Sequence, residues 1–166
     1  MRTLISRQYI KPFLFAGKCV FTLVDNRHNI RTTYKIRKKK DMDIAWVSVQ
    51  CGKEYEFAGT LFKRFKGGEF DYKHSLKSKV ADDAASIKYF KALLGKIDNL
   101  PDFIEIHHSG MCGCCGRELT VPESLETGFG PVCFKRHFPN KDSVIKNRYK
   151  ISKQLNSQLA IAVWKI

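Results

Sequence analysis

A Cys-x2-Cys pair in a glycine-rich run, CGCCG, constrains the fold of this chain more than any other feature. Cys112 and Cys115 have the spacing that lets two thiolates bind one tetrahedral ion, and Cys133 follows as a third ligand after a short predicted hairpin. Two histidines are candidates for the fourth ligand. His137 lies four residues after Cys133, on the same side of a predicted helix, and His108 lies four residues before Cys112. The spacing therefore predicts a structural Zn²⁺ site and leaves the fourth ligand open between the two histidines.

The segment HSGMCGCCGRELTVPESLETGFGPVC resembles a small zinc-finger module in proteins of tailed bacteriophages. The module has the pattern H-x-G-x-C-x-x-C-G-R-x-L-T-x-P-x-S-x-x-x-G-x-G-P-x-C. This chain matches it at His108, Gly110, Cys112, Cys115, Gly116, Arg117, Leu119, Thr120, Pro122, Ser124, Gly128, Gly130, Pro131 and Cys133. The β-rich region from about Phe13 onward also resembles the region that precedes the module in phage proteins. The resemblance implies a zinc-binding protein of phage origin with a ligand at His108, and it names no reaction.

A formal net charge of +14 over 166 residues is the second strong signal. For a cytoplasmic domain it predicts a polyanionic partner, and nucleic acid is the commonest one. Hydrophobic residues make up 43% of the chain, enough to build a core. No apolar run approaches the roughly 20 residues that span a bilayer, and no motif indicates a small-molecule substrate. We therefore expect a soluble cytoplasmic protein without membrane association, in the host bacterial cytoplasm if the chain is phage-encoded.

The remaining pattern predicts an α+β fold: an antiparallel β-sheet with one packing helix, a treble-clef-like zinc knuckle and a C-terminal helix. Predicted strands cover residues 13–24, 30–40, 44–51, 55–62 and 103–107, with a long loop or irregular hairpin over 63–80. Asp82 or Asp83 is the expected cap of the packing helix. No linker separates these pieces, which predicts one compact unit. Its parts are a β-rich body with the helix at 1–106, the zinc module at 107–140 and a basic helix at 141–166.

One predicted strand, over residues 30–40, alternates cleanly between apolar and basic or polar side chains. Its outward-facing positions are Arg31, Thr33, Lys35 and Arg37. Such a strand is half-buried in an antiparallel sheet. In the neighbouring strands we assign Trp46 to the core and expect Cys19 and Cys51 to be buried thiols.

Basic side chains on this strand, in the long loop and after the third cysteine form the predicted nucleic-acid-binding set. They are Arg31, Lys35, Arg37, Lys38, Lys39, Lys40, Lys63, Arg64, Lys66, Lys135, Arg136, Lys146 and Arg148. Three aromatic residues of the loop, Phe65, Phe70 and Tyr72, either stack on bases or anchor the loop to the core, and the pattern leaves both open.

These features together predict a zinc-binding protein, phage-encoded by resemblance, that binds DNA or RNA without catalysis. The alternative is an interaction factor or inhibitor that binds an acidic or RNA-rich host complex, such as RNA polymerase, the ribosome or a defence system. A metal-dependent nuclease comes third. Catalysis at the zinc is not expected, because four protein ligands close its coordination shell and no carboxylate nearby stands in an H-x-E or H-E-x-x-H setting.

Overall fold

The computed structural model describes residues 3–39, 42–63 and 70–139 of the chain. Two compact units divide the protein, Met1–Gly130 and Pro131–Ile166. The first unit contains the whole sheet and most of the helices, and the described part of the second is one short helix with the residues just after it. The predicted C-terminal helix lies outside the described residues.

Seven antiparallel strands form a single sheet in the first unit, which confirms the predicted α+β class. The strands are β1 (Thr3–Leu4), β2 (Lys18–Asp25), β3 (Ile30–Lys38), β4 (Ile44–Cys51), β5 (Glu54–Lys63), β6 (Phe70–His74) and β7 (Ile104–His108). Their spatial order is β1-β7-β2-β3-β4-β5-β6, so four hairpins in succession build most of the sheet. β7, which leads into the cysteine segment, therefore lies between β1 and β2.

Two helices pack on one face of the sheet and enclose the core. The helices among the described residues are α1 (Arg7–Leu14), α2 (Ala85–Gly95), α3 (Pro122–Thr127) and α4 (Pro131–His137). On the covered face, the ring of Phe90 in α2 lies 5.1 Å from that of Tyr34, whose hydroxyl donates a 2.6 Å hydrogen bond to the carbonyl of Ser86. In α1, Phe13 is fully buried and its ring lies 5.7 Å from that of His108. No helix among the described residues is long and apolar enough to cross a membrane.

The alternation predicted for β3 is confirmed. Tyr34 and Ile36 are fully buried beneath the helices, whereas Arg31, Lys35 and Arg37 lie on the opposite side. Over β3, β4 and β5 this opposite side has no described helix packed on it. We call it the open face.

Two predicted core residues are solvent-exposed. Trp46 is 48% exposed because the buried positions of β4 are Val47 and Val49, which puts the tryptophan on the open face opposite Arg37. Cys51 is exposed at the end of the same strand. The assignment of both residues to the interior was wrong, whereas Cys19 is fully buried as expected.

The helix prediction was incomplete. The first strand was expected from residue 13, but α1 occupies this stretch with Pro12 inside it, and β2 begins only at Lys18. α2 begins after Ala84, which makes no side-chain capping bond, so the predicted cap by Asp82 or Asp83 was wrong. The carboxylate of Asp82 instead accepts a 2.7 Å hydrogen bond from Lys91.

A β-bulge interrupts the ladder between β4 and β5. Val47 pairs with Gly59 and Ser48 pairs with Phe57, so Ala58 is one residue more than regular pairing needs. The Ala58 carbonyl accepts a 3.0 Å hydrogen bond from the Ser75 amide. Gly59 has no room for a side chain, since a Cβ there would lie 2.3 Å from the carbonyl oxygen of Lys73. The neighbouring strand β6 can therefore approach closely at this point.

Candidate metal centre and basic sheet face

A tight backbone loop presents the first two cysteines. Met111 and Glu118 form an antiparallel bridge at its base. Within the loop, the Cys112 amide donates to the Arg117 carbonyl at 2.8 Å, and the Gly116 amide donates to the Cys112 carbonyl at 2.9 Å. The turn brings the side chains of Cys112 and Cys115 to one end, as a zinc knuckle requires.

Phe13 anchors this loop to the covered face of the sheet. A Cβ placed on Gly113 or Gly128 would lie 2.6 Å or 2.5 Å from the phenylalanine ring, so both positions exclude a side chain. The Gly113 amide also donates to the Gly128 carbonyl at 3.0 Å, and its carbonyl accepts a 2.7 Å bond from the Lys18 amide at the start of β2. The knuckle is therefore attached directly to the sheet backbone.

Three cysteines lie together in the cluster that the spacing predicted. The sulphur atoms of Cys112, Cys115 and Cys133 lie within 4.8 Å of one another. A tetrahedral ion with zinc–sulphur bonds of about 2.3 Å holds its sulphurs about 3.8 Å apart, so a small contraction suffices to bind one ion. All three are free thiols, and three soft thiolate donors suit zinc. The cluster can hold a metal ion.

Backbone amides assist the ionisation of Cys112. Burial alone would raise the pKa of this thiol, but hydrogen bonds from the backbone at Cys115, Gly130 and Cys114, with one from the Cys115 side chain, together more than offset it. The pKa of Cys112 consequently lies below its ordinary value. Because the thiolate is the form that binds metals, this environment favours coordination.

Both ring nitrogens of His108 have partners within the protein. Nε2 donates to the Leu125 carbonyl at 2.8 Å, and Nδ1 accepts a 3.1 Å hydrogen bond from the Gly110 amide. This pair of bonds requires a neutral ring with its proton on Nε2, and burial keeps the pKa of His108 below its ordinary value. Neither His108 nor His137, both among the described residues, belongs to the sulphur cluster.

The interval between the second and third cysteines differs from the predicted hairpin. The six-residue helix α3 fills it and ends at Gly128, which has a φ of 76° in the left-handed region. The third cysteine lies in α4, with His137 one helical turn after it. Cys114, between the two knuckle cysteines, is not part of the cluster.

The buried thiol of Cys19 is chemically separate from this cluster. Its Sγ donates a 3.3 Å hydrogen bond to the Leu14 carbonyl, and burial raises its pKa to about 12. A thiol with so high a pKa stays protonated, so Cys19 packs in the core and does not act as a metal ligand.

Some of the predicted nucleic-acid-binding residues lie together on the open face. Arg31, Lys35 and Arg37 alternate along β3 and share this side of the sheet. The Lys35 ammonium lies 5.0 Å from the centroid of the Tyr55 ring. Lys38 instead forms a 3.5 Å ion pair with Asp43 near the end of the strand.

The structure describes only some of the other predicted basic residues. Lys39 is exposed just after β3, and Lys135 and Arg136 are exposed on α4 in the second unit. Lys63 ends β5. Lys40, Arg64, Lys66, Lys146 and Arg148, together with Phe65 and Trp164, lie outside the described residues.

The aromatic residues predicted near the long loop contact the protein interior. Phe70 stacks on Phe15 with their ring centroids 3.7 Å apart, and Tyr72 meets Phe90 edge-on at 5.2 Å. Among the alternatives left open for them, anchoring to the core is the one that these contacts support.

Sequence reasoning missed the exposed aromatic residues of the open face. Trp46 is 48% exposed, and Phe57 and Phe62 are each 37% exposed. The exposure of Trp46 could have been predicted from the sequence. It alternates with Val47 and Val49, and it lies on the same side of the strand as the polar residues Ser48 and Gln50. The face of Phe57 could not be read from its spacing, since the bulge changes the parity of β5 between the two phenylalanines.

Comparison with known proteins finds a match only for the segment that carries the cysteine cluster. Residues 106–138 match the sequence model of DUF6011, a family of unknown function. No curated protein and no solved structure matches the chain. The similarity to DUF6011 therefore concerns β7, the knuckle and the helices α3 and α4, about a fifth of the protein, and names no activity.

Proposed function

We propose that this protein is a structural zinc protein that binds nucleic acid through the open face of its sheet, without catalysis. The observation that carries the proposal is the alternation of Arg31, Lys35 and Arg37 on an exposed sheet surface in a chain of net charge +14. Cationic side chains on one surface can contact successive phosphates, and such contacts supply most of the affinity of sequence-independent binding. Resemblance of the cysteine module to zinc fingers of tailed-phage proteins supports a phage origin and action in the host cytoplasm.

Zinc is the metal that best suits the cluster, and its role here is to stabilise the fold. Thiolates from two separate segments close on one ion only when the chain between them is folded, so metal binding contributes to folding. We assign the fourth ligand to His137, because it follows Cys133 by one helical turn. His108 could coordinate only by giving up its hydrogen bond to Leu125 or to Gly110.

Metal analysis of purified protein tests the centre. We expect one zinc per chain, lost in Cys115→Ser and retained in Cys114→Ser, which alters the adjacent thiol outside the cluster. His137→Ala should release zinc more readily than His108→Ala, whereas the reverse order would assign the ligand to His108. Full folding of the metal-free protein by circular dichroism would refute the stabilising role.

Charge reversal tests the nucleic-acid interface. Arg37→Glu should weaken binding to all sequences alike and lower the slope of log affinity against log salt by about 1, since one phosphate contact is lost. Lys88→Glu is the matched control, because it makes the same change in net charge at an exposed position of α2, on the covered face. Equal losses in both variants would show that only the overall charge matters and would reject the open face as the interface.

A host assembly remains the alternative partner. Pull-down from infected cells before and after nuclease treatment separates the two functions. A single protein partner that survives nuclease and high salt, beside weak binding to every DNA and RNA tested, would replace nucleic acid with that protein as the partner.

A further inference from the structure

A single row of side chains crosses five strands, β2 to β6, on the side of the sheet that carries the open face. Direct register pairs join Lys18 to Arg37, Arg37 to Trp46, Trp46 to Thr60 and Thr60 to Lys73. Directly opposite residues of an antiparallel pair lie on the same face, and neighbouring strands are about 4.8 Å apart. The row therefore places the Cα atom of Arg37 about 5 Å from that of Trp46 on one side, and the Cα atom of Lys73 about 10 Å away on the other.

Two further rings flank Trp46 on the neighbouring strand. Phe57 lies opposite Ser48, and Phe62 lies opposite Ile44, so each phenylalanine is a diagonal neighbour of Trp46 on the same face. Diagonal neighbours are roughly 7–8 Å apart at their Cα atoms. Because all three side chains are more than one-third exposed, they present a line of aromatic surface to solvent. We call Trp46, Phe57 and Phe62 the aromatic line.

The charges around the aromatic line indicate what it binds. An exposed apolar strip marks an interaction surface, and its borders distinguish the kind of partner. Here the borders are cationic, with Arg37 on the β3 side and Lys73 on the β6 side. Within residues 3–39, 42–63 and 70–139, no ion pair to a carboxylate involves Lys18, Arg37 or Lys73. Their charges are therefore available to an anionic ligand.

We propose that the aromatic line is a stacking platform for the bases of a single-stranded polynucleotide, whose phosphates contact the flanking cations. This deepens the proposed function and rests on it, because it specifies which form of nucleic acid the open face selects. A duplex keeps its base faces stacked inside and offers only its backbone to the cations. A single strand offers both bases and phosphates, so it gains the stacking contribution in addition.

Binding of labelled oligo(dT), oligo(rU) and a DNA duplex of the same length to the full chain tests the platform. Stacking contributes about 1–3 kcal/mol per base, so Trp46→Ala should weaken binding to both single strands roughly 5- to 150-fold and leave the duplex affinity unchanged. Phe57→Ala should act in the same direction. Leu76→Ala is the control, because it removes a fully exposed apolar side chain in the turn after β6, outside the strands of the open face, and should change neither the single-strand nor the duplex affinity.

Tryptophan emission gives a second readout that does not depend on affinity. The chain has two tryptophans, so Trp164→Phe leaves Trp46 as the only emitter. Oligo(dT) at saturation should quench this emission through direct contact of a base with the indole, whereas saturating duplex should leave it unchanged.

The outcomes separate this inference from the function on which it rests. Absence of binding to all three probes would refute nucleic-acid binding itself. Tight binding with the same single-strand preference in Trp46→Ala would leave nucleic-acid binding intact and overturn the platform alone. Concentration-dependent self-association in sedimentation, abolished by Trp46→Ala, would also overturn it, since the aromatic line would then be an interface between copies of the chain.

Discussion

Replacing Gly128 with alanine should destabilise the protein severely, for two separable reasons. Gly128 ends α3 with a φ of 76°, a left-handed conformation that costs a residue with a side chain about 1–2 kcal/mol. Its Cβ would also lie 2.5 Å from Cδ2 of Phe13, whose ring is fully buried. Overpacking of this kind costs about 1–3 kcal/mol. The sum of about 2–5 kcal/mol is a large fraction of the 5–15 kcal/mol that is typical of whole domains.

Other glycines of the chain separate the two contributions. Gly52 has a φ of 63° and open space around it, so Gly52→Ala reports the backbone cost alone. Gly113 has no positive φ but faces the same phenylalanine ring at 2.6 Å, so Gly113→Ala reports the packing cost. Gly95 ends α2 with neither constraint, and Gly95→Ala should be neutral or stabilising by up to about 1 kcal/mol.

Urea unfolding of the four variants, with zinc held in constant excess, measures these free energies. The expected order of destabilisation is Gly128→Ala first, Gly52→Ala and Gly113→Ala next, and Gly95→Ala last. If Gly128→Ala costs no more than Gly52→Ala, within about 0.5 kcal/mol, then the phenylalanine ring does not exclude a side chain and the attachment of the knuckle through Phe13 is refuted.

The remaining predictions concern titratable side chains. Burial lowers the pKa of His108 in the folded protein, so the unfolded chain takes up its proton first, near pH 6.5. The contribution of the neutral His108 ring to the free energy of unfolding should be present above pH 6.5 and lost as the pH falls through the pKa of His108 in the folded protein. The difference in free energy of unfolding between wild type and His108→Asn should therefore shrink on acidification, and a constant difference would contradict it. Cys51 should react with iodoacetamide in the native protein while Cys19 stays unmodified in peptide mass spectra, because Cys51 is exposed and burial raises the pKa of Cys19 to about 12. Rapid labelling of Cys19 would show that its site opens readily.

Sequence alone predicted what depends on local spacing. The three clustered cysteines and the two faces of β3 followed from fixed intervals along the chain, and both are confirmed. The role of His108 did not follow, because its partners at Leu125 and Gly110 are set by how the loop folds back on β7. Trp46 was assigned to the inner face of its strand, whereas the structure buries the alternating positions Val47 and Val49 and leaves the tryptophan outside.

The bulge in β5 has a consequence for how the length of this strand can vary. Phe57 and Phe62 are five residues apart, an odd interval that would send them to opposite faces of a regular strand. Since Ala58 is the residue without a cross-strand partner, its deletion would leave every pair across the β4–β5 ladder in place and keep both rings outside. A one-residue insertion or deletion in β4 would instead turn the side chains on one side of the change to the opposite face of the sheet. Trp46 would be buried if it lay on that side. In an alignment of related chains, a gap at position 58 is thus compatible with an unchanged open face. A gap within β4 is not.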